Sequence, residues 1–171
     1  MKNTALAGLA VGAGGFLVWQ FVPKSDAILS LKQMLKNVDL IEQQNITMLG
    51  QWNLSKTLLH CAQSIDLSID GYPQHHSTLF KQTVGTLAFS GFSAKHQMHH
   101  ALDKDIPGTQ PINADTPLPL AIESIRLSIK RFAKHSGKLK EHFAYGQLNK
   151  NEYERAHAMH LNNHMLEMAW E

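Results

Sequence analysis

The sequence predicts an all-α fold built on a four-helix bundle. Apolar residues recur every three or four positions in four long segments, and no segment shows the strict alternation of a half-buried strand. Glycine, proline and asparagine stand at the ends of these segments, where helices start and stop. We therefore expect one bundle domain over residues 25–171, preceded by a hydrophobic segment over residues 1–24.

The first two predicted helices make up the N-terminal half of the bundle. The first covers residues 25–49, carries a single apolar stripe and stops at Gly50. The second covers residues 53–70 and is broken by Gly71-Tyr72-Pro73. Because its apolar residues fall on two sides, we expect this second helix to be buried at the centre of the domain.

A shorter helix and a loop separate the two halves of the predicted bundle. Residues 77–90 have helical periodicity, whereas residues 91–116 form a long polar stretch that contains Pro107, Gly108 and Pro111. Proline is tolerated in the first turn of a helix, so Pro117 and Pro119 start the third long helix, which continues to Ser136.

The last predicted helix begins at Asn149 and continues to the carboxyl terminus at Glu171. Asn149 followed by Glu152 three residues later resembles a capping box, in which each side chain accepts a hydrogen bond from the other residue's backbone. This arrangement predicts a well-defined helix start just before the histidine-rich part of the chain.

The composition excludes several classes of protein. Sixteen basic and fourteen acidic residues give a net charge of +2 without a basic run, so the electrostatic footprint of a nucleic-acid-binding protein is missing. A single cysteine, Cys61, excludes an internal disulfide framework and a multi-cysteine metal site. With 43% hydrophobic residues the chain is too apolar for intrinsic disorder. The eleven histidines are the conspicuous feature that remains.

The N-terminal segment predicts a membrane anchor. Residues 5–22 contain no charge, and the positive charge at Lys2 favours a cytoplasmic amino terminus, which places the domain on the periplasmic side of a bacterial inner membrane. A signal sequence cleaved after Ala27 and a buried helix of the domain remain as alternatives. Gly8 and Gly12 have the spacing of a helix-dimer face, so a homodimer also stays open.

Three histidines share one face of the last helix. His157, His160 and His164 are separated by three and four residues, so their imidazoles project from the same side. The four-residue spacing of His160 and His164 is one by which a helix presents two nitrogens to one metal ion. A solvated or hydrogen-bonded histidine cluster has the same spacing, so the pair alone does not decide between the two.

A third ligand has to come from a facing helix. His60 lies within the apolar run Leu58-Leu59-His60-Cys61-Ala62 of the second predicted helix, where an unpaired imidazole costs free energy. We therefore expect a partner for His60. A metal ion is one, and a neutral histidine bonded to another helix is the alternative.

Four features together resemble the DinB/YfiT-like superfamily, in a branch of unknown function, over residues 26–171. They are Trp52, the helix LLHCAQSI ending in Gly71-Tyr72-Pro73, the turn from His142 to Leu148 and the closing His160-Leu-Asn-Asn-His164. The resemblance implies a four-helix bundle that holds a divalent ion, often zinc or nickel. One ligand is a histidine of the second helix and two form an H-x-x-x-H pair of the last.

The resemblance implies that His60, His160 and His164 are the metal ligands and gives His157 no ligand role. A shift of register would exchange His157 for His160. It also implies metal-dependent chemistry, because characterised members of the superfamily are thiol-dependent transferases and an isomerase. Where members of the branch commonly have a glutamine three residues after the last ligand, this chain has Glu167.

The remaining histidines and the cysteine have plainer interpretations. His96, His99 and His100 form a loop cluster that can bind transition metals adventitiously, and a specific site there remains the less favoured alternative. We expect His142 to cap or pack the turn before the last helix and Cys61 to be a buried structural thiol.

The predicted function is that of a membrane-anchored, metal-dependent enzyme acting on a small molecule of unknown identity. Three histidines leave a position on the ion open for hydrolase-like or transferase-like chemistry. The alternative is a non-catalytic metal-binding or ligand-binding protein of the cell envelope, in which the ion is saturated.

Overall fold

The structure is a computed structural model, and it describes residues 23–171. Helices dominate this part of the chain, as the sequence predicts, and one two-stranded antiparallel sheet accompanies them. The helices are α1 (Leu31–Gln43), α2 (Leu54–Asp70), α3 (Thr86–Lys95), α4 (Leu118–Lys134) and α5 (Lys150–Met165), and the strands are β1 (Ile46–Met48) and β2 (Met168–Trp170).

Both helices that carry the predicted ligands start where the sequence predicts. The Asn53 side chain accepts a hydrogen bond from the Lys56 backbone N–H at the start of α2. Asn149 and Glu152 form a reciprocal capping box at the start of α5. After α2 the backbone turns at Gly71, whose φ of 108° lies in a region that glycine adopts without strain.

The two-stranded sheet corrects two predicted helix ends. The first helix stops at Gln43 and the last at Met165, and the residues beyond them pair as β1 and β2 with Thr47 opposite Ala169. Strands of three residues are too short to show alternation, and their partners lie at opposite ends of the described chain. Neither strand is therefore recognisable from local periodicity.

The predicted short helix is longer than expected and contains a π-helix. A helical turn at Thr78–Phe80 leads into a π-helix at Lys81–Gly85 and then into α3, which ends at Lys95. Gly85 lies directly against the carbonyl group of Ala144 in the turn before α5, and there is no space for a side chain between them.

The four longer helices surround the core. Helices α1 and α2 each contact both α4 and α5. The core side chains include Leu58 and Ile65 of α2 and Ile125 and Ile129 of α4, all at most 2% exposed. This packing holds α2 and α5 side by side, with His60 opposite the histidines of α5.

No helix within residues 23–171 is long and apolar enough to cross a membrane. The longest of them, α2 and α4, have 17 residues each and carry charged side chains. This finding corrects the expectation of a transmembrane helix as far as the described chain extends. Residues 5–22, from which that expectation came, lie outside the described residues.

Candidate metal centre

His60, His160 and His164 converge on one point between α2 and α5. The Nε2 atom of His160 lies 3.2 Å from the Nε2 atom of His60 and 3.2 Å from that of His164. The ligand atoms of all three residues lie within 4.8 Å of one another. The structure thus brings together the three residues that the sequence singled out, and it leaves His157 outside the group.

The spacing of the three nitrogens suits a metal ion. Zinc bound to imidazole at about 2.0 Å in a tetrahedron holds its ligand nitrogens roughly 3.3 Å apart. His160 Nε2 lies 3.2 Å from the Nε2 atoms of His60 and of His164, which is close to that value. Three histidines on two rigid helices are therefore close enough to hold a divalent ion.

All three imidazoles are neutral at neutral pH, which leaves nitrogen lone pairs for a metal. Burial lowers the pKa of His60 to about 4 and that of His164 to about 2. Burial also holds the pKa of His160 well below its usual range, and neighbouring histidines lower it further. Metal binding requires the neutral form of histidine, so these shifts favour a ligand role.

Trp52 orients two of the three rings. Its indole lies parallel to the His164 ring at a centroid distance of 6.2 Å and meets the His60 ring edge-on at 5.0 Å. The Nδ1 atoms of His60 and His164 are buried and have no hydrogen-bond partner within residues 23–171. Packing against Trp52 therefore fixes the orientation of these rings. The ammonium group of Lys56 lies over the indole, 4.2 Å from the ring centre.

A cavity of about 250 Å³ adjoins the three histidines. His60 and Ser64 of α2 and Ala156, His157 and His160 of α5 form one part of its wall, and the rest comes from the loop before α4 and the turn before α5. The loop contributes Met98, His100, Lys104, Asp105, Ile106 and Pro107, and the turn contributes His142, Phe143 and Tyr145. The cavity gives a small molecule access to the histidine nitrogens.

His157 is buried beside the cavity, one turn away from the three converging histidines. Its ring stacks on Tyr153 at 5.4 Å and meets Phe132 edge-on at 5.2 Å. Its Nε2 atom is buried without a hydrogen-bond partner among the described residues. Burial lowers the pKa of His157 to about 3, so the ring is neutral in the folded protein.

We expect the free energy of unfolding of the metal-free protein to fall as the pH falls below 6.5. The unfolded chain binds a proton on His157 with a pKa near 6.5, whereas the folded chain does so only near pH 3. Because the unfolded state binds more protons between these values, this residue removes about 1.4 kcal/mol of stability per pH unit there. Urea unfolding at about pH 7.5, 6.5 and 5.5 measures the slope.

The matched variant for this measurement is His157→Phe, which keeps a ring of similar size without a titrating nitrogen. We expect the free energy of unfolding of the variant to depend less steeply on pH, by about 1.4 kcal/mol per pH unit, because one titrating histidine is missing. Equal slopes in the variant and the wild type would show that His157 has the same pKa in the folded and unfolded states, and would contradict its burial as a neutral ring.

His142 packs the turn before α5, as the sequence predicts. Its Nδ1 atom accepts hydrogen bonds from the backbone N–H groups of Ala144 and Tyr145, each at 3.1 Å. The ring stacks on that of Tyr145 at a centroid distance of 4.3 Å. With Nδ1 occupied as an acceptor, the neutral ring carries its proton on Nε2.

The structure separates the members of the predicted loop cluster. His96 ends α3 in the left-handed conformation, with φ 55°. His100, in contrast, lies against the cluster of three histidines, and its ring centroid is 4.8 Å from that of His160 and 5.5 Å from that of His164. The sequence did not indicate this role, because a loop position has no periodic relation to either helix.

Cys61 is a buried thiol on the core side of α2. It is 2% exposed, and burial raises its pKa to about 12. A thiol in this state is a poor nucleophile, in agreement with a structural role.

The comparison with protein families gives one match. The model of a family described as "Protein of unknown function (DUF1569)" matches residues 23–170. No curated protein and no solved structure matches the chain.

Proposed function

The chain belongs to the DUF1569 family, and we propose that it is a divalent-metal-dependent enzyme whose ion is held by His60, His160 and His164. The observation that carries the proposal is the convergence of three neutral imidazoles on one point beside a cavity. Three neutral imidazoles with their Nε2 atoms crowded to 3.2 Å cannot all satisfy those nitrogens with one another, and a bound ion would accept the lone pairs of all three.

The resemblance to the DinB/YfiT-like superfamily supports the same ligand set. We infer that α1, α2, α4 and α5 form its four-helix bundle, and the contacts of α1 and α2 with both α4 and α5 suit that arrangement. The order of ligands along the chain, one histidine on α2 and two on α5, also agrees with the superfamily. By this resemblance the ion is zinc or nickel.

The residues around the ion would have separate tasks. His60, His160 and His164 hold the ion and leave a position toward the cavity, where a bound divalent ion supplies Lewis-acid chemistry. Trp52 keeps the rings in place, and the apolar walls of the cavity exclude bulk water. A volume of about 250 Å³ restricts the substrate to a small molecule. The reaction class is hydrolase-like or transferase-like by analogy with the superfamily.

A non-catalytic metal-binding protein is the second candidate, and the position of His100 favours it. A fourth histidine ring beside the group could saturate a tetrahedral ion and leave no position for a substrate.

Elemental mass spectrometry of the full chain, purified without a polyhistidine tag, tests the proposal. We expect about one first-row transition-metal ion per chain, removable by a chelator and restored by zinc. The zinc-loaded protein should then turn over at least one member of a panel of small activated esters, amides and thioesters, and the chelated protein should not.

Two outcomes contradict the proposal in different ways. A folded protein that neither contains nor binds zinc or nickel excludes the metal centre. A tightly bound ion without turnover on the panel, and without a change in the cobalt(II) absorption spectrum on addition of azide, indicates a saturated site and the second candidate. His99→Ala serves as the control for surface histidines in both measurements.

A further inference from the structure

We propose that His100 is a fourth ligand, carried to the ion by the loop between α3 and α4, and that a substrate reaches the ion by displacing it. This inference rests on the proposed metal centre and adds a residue that neither the helix spacing nor the superfamily resemblance assigns. It makes the fourth position exchangeable, in contrast to the three positions supplied by helices.

The position of the His100 ring suits a fourth imidazole. The rings of the three helix-borne histidines have centroid separations of 4.9 to 5.2 Å. His100 lies 4.8 Å from His160 and 5.5 Å from His164 by the same measure. Four imidazoles bound tetrahedrally at about 2.0 Å place their ring centres roughly 5 Å apart. His100 therefore stands at the distance of a ligand from two of the three rings.

The hydrogen bonding of His100 leaves the correct nitrogen available. Its Nδ1 atom lies 2.9 Å from the carbonyl oxygen of Ala101, so Nδ1–H donates to that oxygen. The lone pair is then on Nε2, the same atom that the other three histidines direct toward one another. A second ring nitrogen bonded to a backbone carbonyl is the usual arrangement of a metal-bound histidine.

Buried residues on both sides of His100 fix this part of the loop against the domain. Met98 and Ile106 are 4% and 5% exposed and anchor the loop on either side, and the Met98 sulfur accepts a hydrogen bond from the Tyr145 hydroxyl. His100 itself is exposed and lies outside the group whose ligand atoms are within 4.8 Å of one another. Binding the ion would therefore require Nε2 of this loop residue to move closer to the other three nitrogens.

The position of His100 on a loop would make it the exchangeable ligand of the four. The other three ligands are fixed by the packing of α2 against α5, whereas His100 is attached by a loop without regular secondary structure. A small molecule that enters the cavity meets His100 at its wall and competes with it for the ion. The exchange would break one metal–nitrogen bond, which a bond from the entering molecule would replace, and it would not require a helix to unfold.

X-ray absorption spectroscopy at the zinc edge tests the proposal on the full chain loaded with zinc alone. We expect scattering from four imidazoles in the wild type, three in His100→Ala and four in His99→Ala, the matched control from the neighbouring position. Zinc affinity, measured by competition with a chromophoric chelator, should fall about tenfold or more in His100→Ala and not in His99→Ala.

The outcomes distinguish a failure of the His100 proposal from a failure of the proposed three-histidine metal site. Three imidazoles in the wild type, or the same count and affinity in His100→Ala as in the wild type, overturn the role of His100 and leave the three-histidine site in place. A wild type that binds no zinc overturns the site. If His100→Ala loses its helical circular dichroism, His100→Gln keeps the size of the side chain without an imidazole, and the same counts apply.

Discussion

Replacing His160 by alanine is expected to abolish tight binding of zinc. His160 Nε2 lies 3.2 Å from the Nε2 atoms of both His60 and His164, so its removal would leave only two of the three ligands. We expect the dissociation constant for zinc to rise by a factor of about 1,000 or more, which corresponds to roughly 4 kcal/mol. Competition with a chromophoric chelator measures the affinity, and elemental mass spectrometry measures the ion retained after purification.

The fold should tolerate this change, because the His160 side chain is only partly buried and faces the cavity. His99→Ala is the control and should bind zinc as the wild type does. Unchanged zinc affinity in a folded His160→Ala protein would remove His160 from the ligand set. If His157→Ala then lost zinc instead, the ligand pair on α5 would be His157 and His164.

Replacing Gly85 by alanine is expected to lower the free energy of unfolding by about 3 kcal/mol or more. A methyl group at this position would overlap the carbonyl oxygen of Ala144 and lie 3.0 Å from its carbonyl carbon. Those atoms belong to the turn held by His142, so neither side can yield without disturbing the cavity wall. Urea unfolding followed by circular dichroism measures the loss.

Gly137→Ala is the matched control for Gly85→Ala. A methyl group there would meet only the ring atoms of the His135 side chain, at 3.1 Å, and that side chain can move. We expect a change within about 1 kcal/mol for this variant. A Gly85→Ala protein as stable as Gly137→Ala would mean that the contact between the π-helix and the turn is loose.

The sequence predicts the parts of this site that depend on local regularity. The capping residues Asn53 and Asn149 locate the starts of α2 and α5. The four-residue spacing of His160 and His164 places them on one face. Joining His60 to that pair needed the superfamily resemblance, because helix periodicity does not reveal which faces of two separate helices meet.

The parts that escaped prediction depend on contacts distant in sequence. His100 reaches the histidine cluster through an irregular loop, whose course depends on the burial of Met98 and Ile106. The π-helix is stabilised by a close approach to Ala144, about 60 residues later. β1 and β2 each contain three residues, and their pairing depends on a partner more than 100 residues away.

The small sheet also connects the two helices that supply the three converging histidines, and this connection has a consequence for hydrogen exchange. β1 leads into the start of α2 and β2 follows the end of α5, so the sheet joins the helices that carry His60 and His164. Opening the sheet and loosening these histidines should then be one cooperative event. By thermodynamic linkage, an ion that holds the histidines together also raises the protection factors of the backbone amides in β1 and β2, although it touches neither strand.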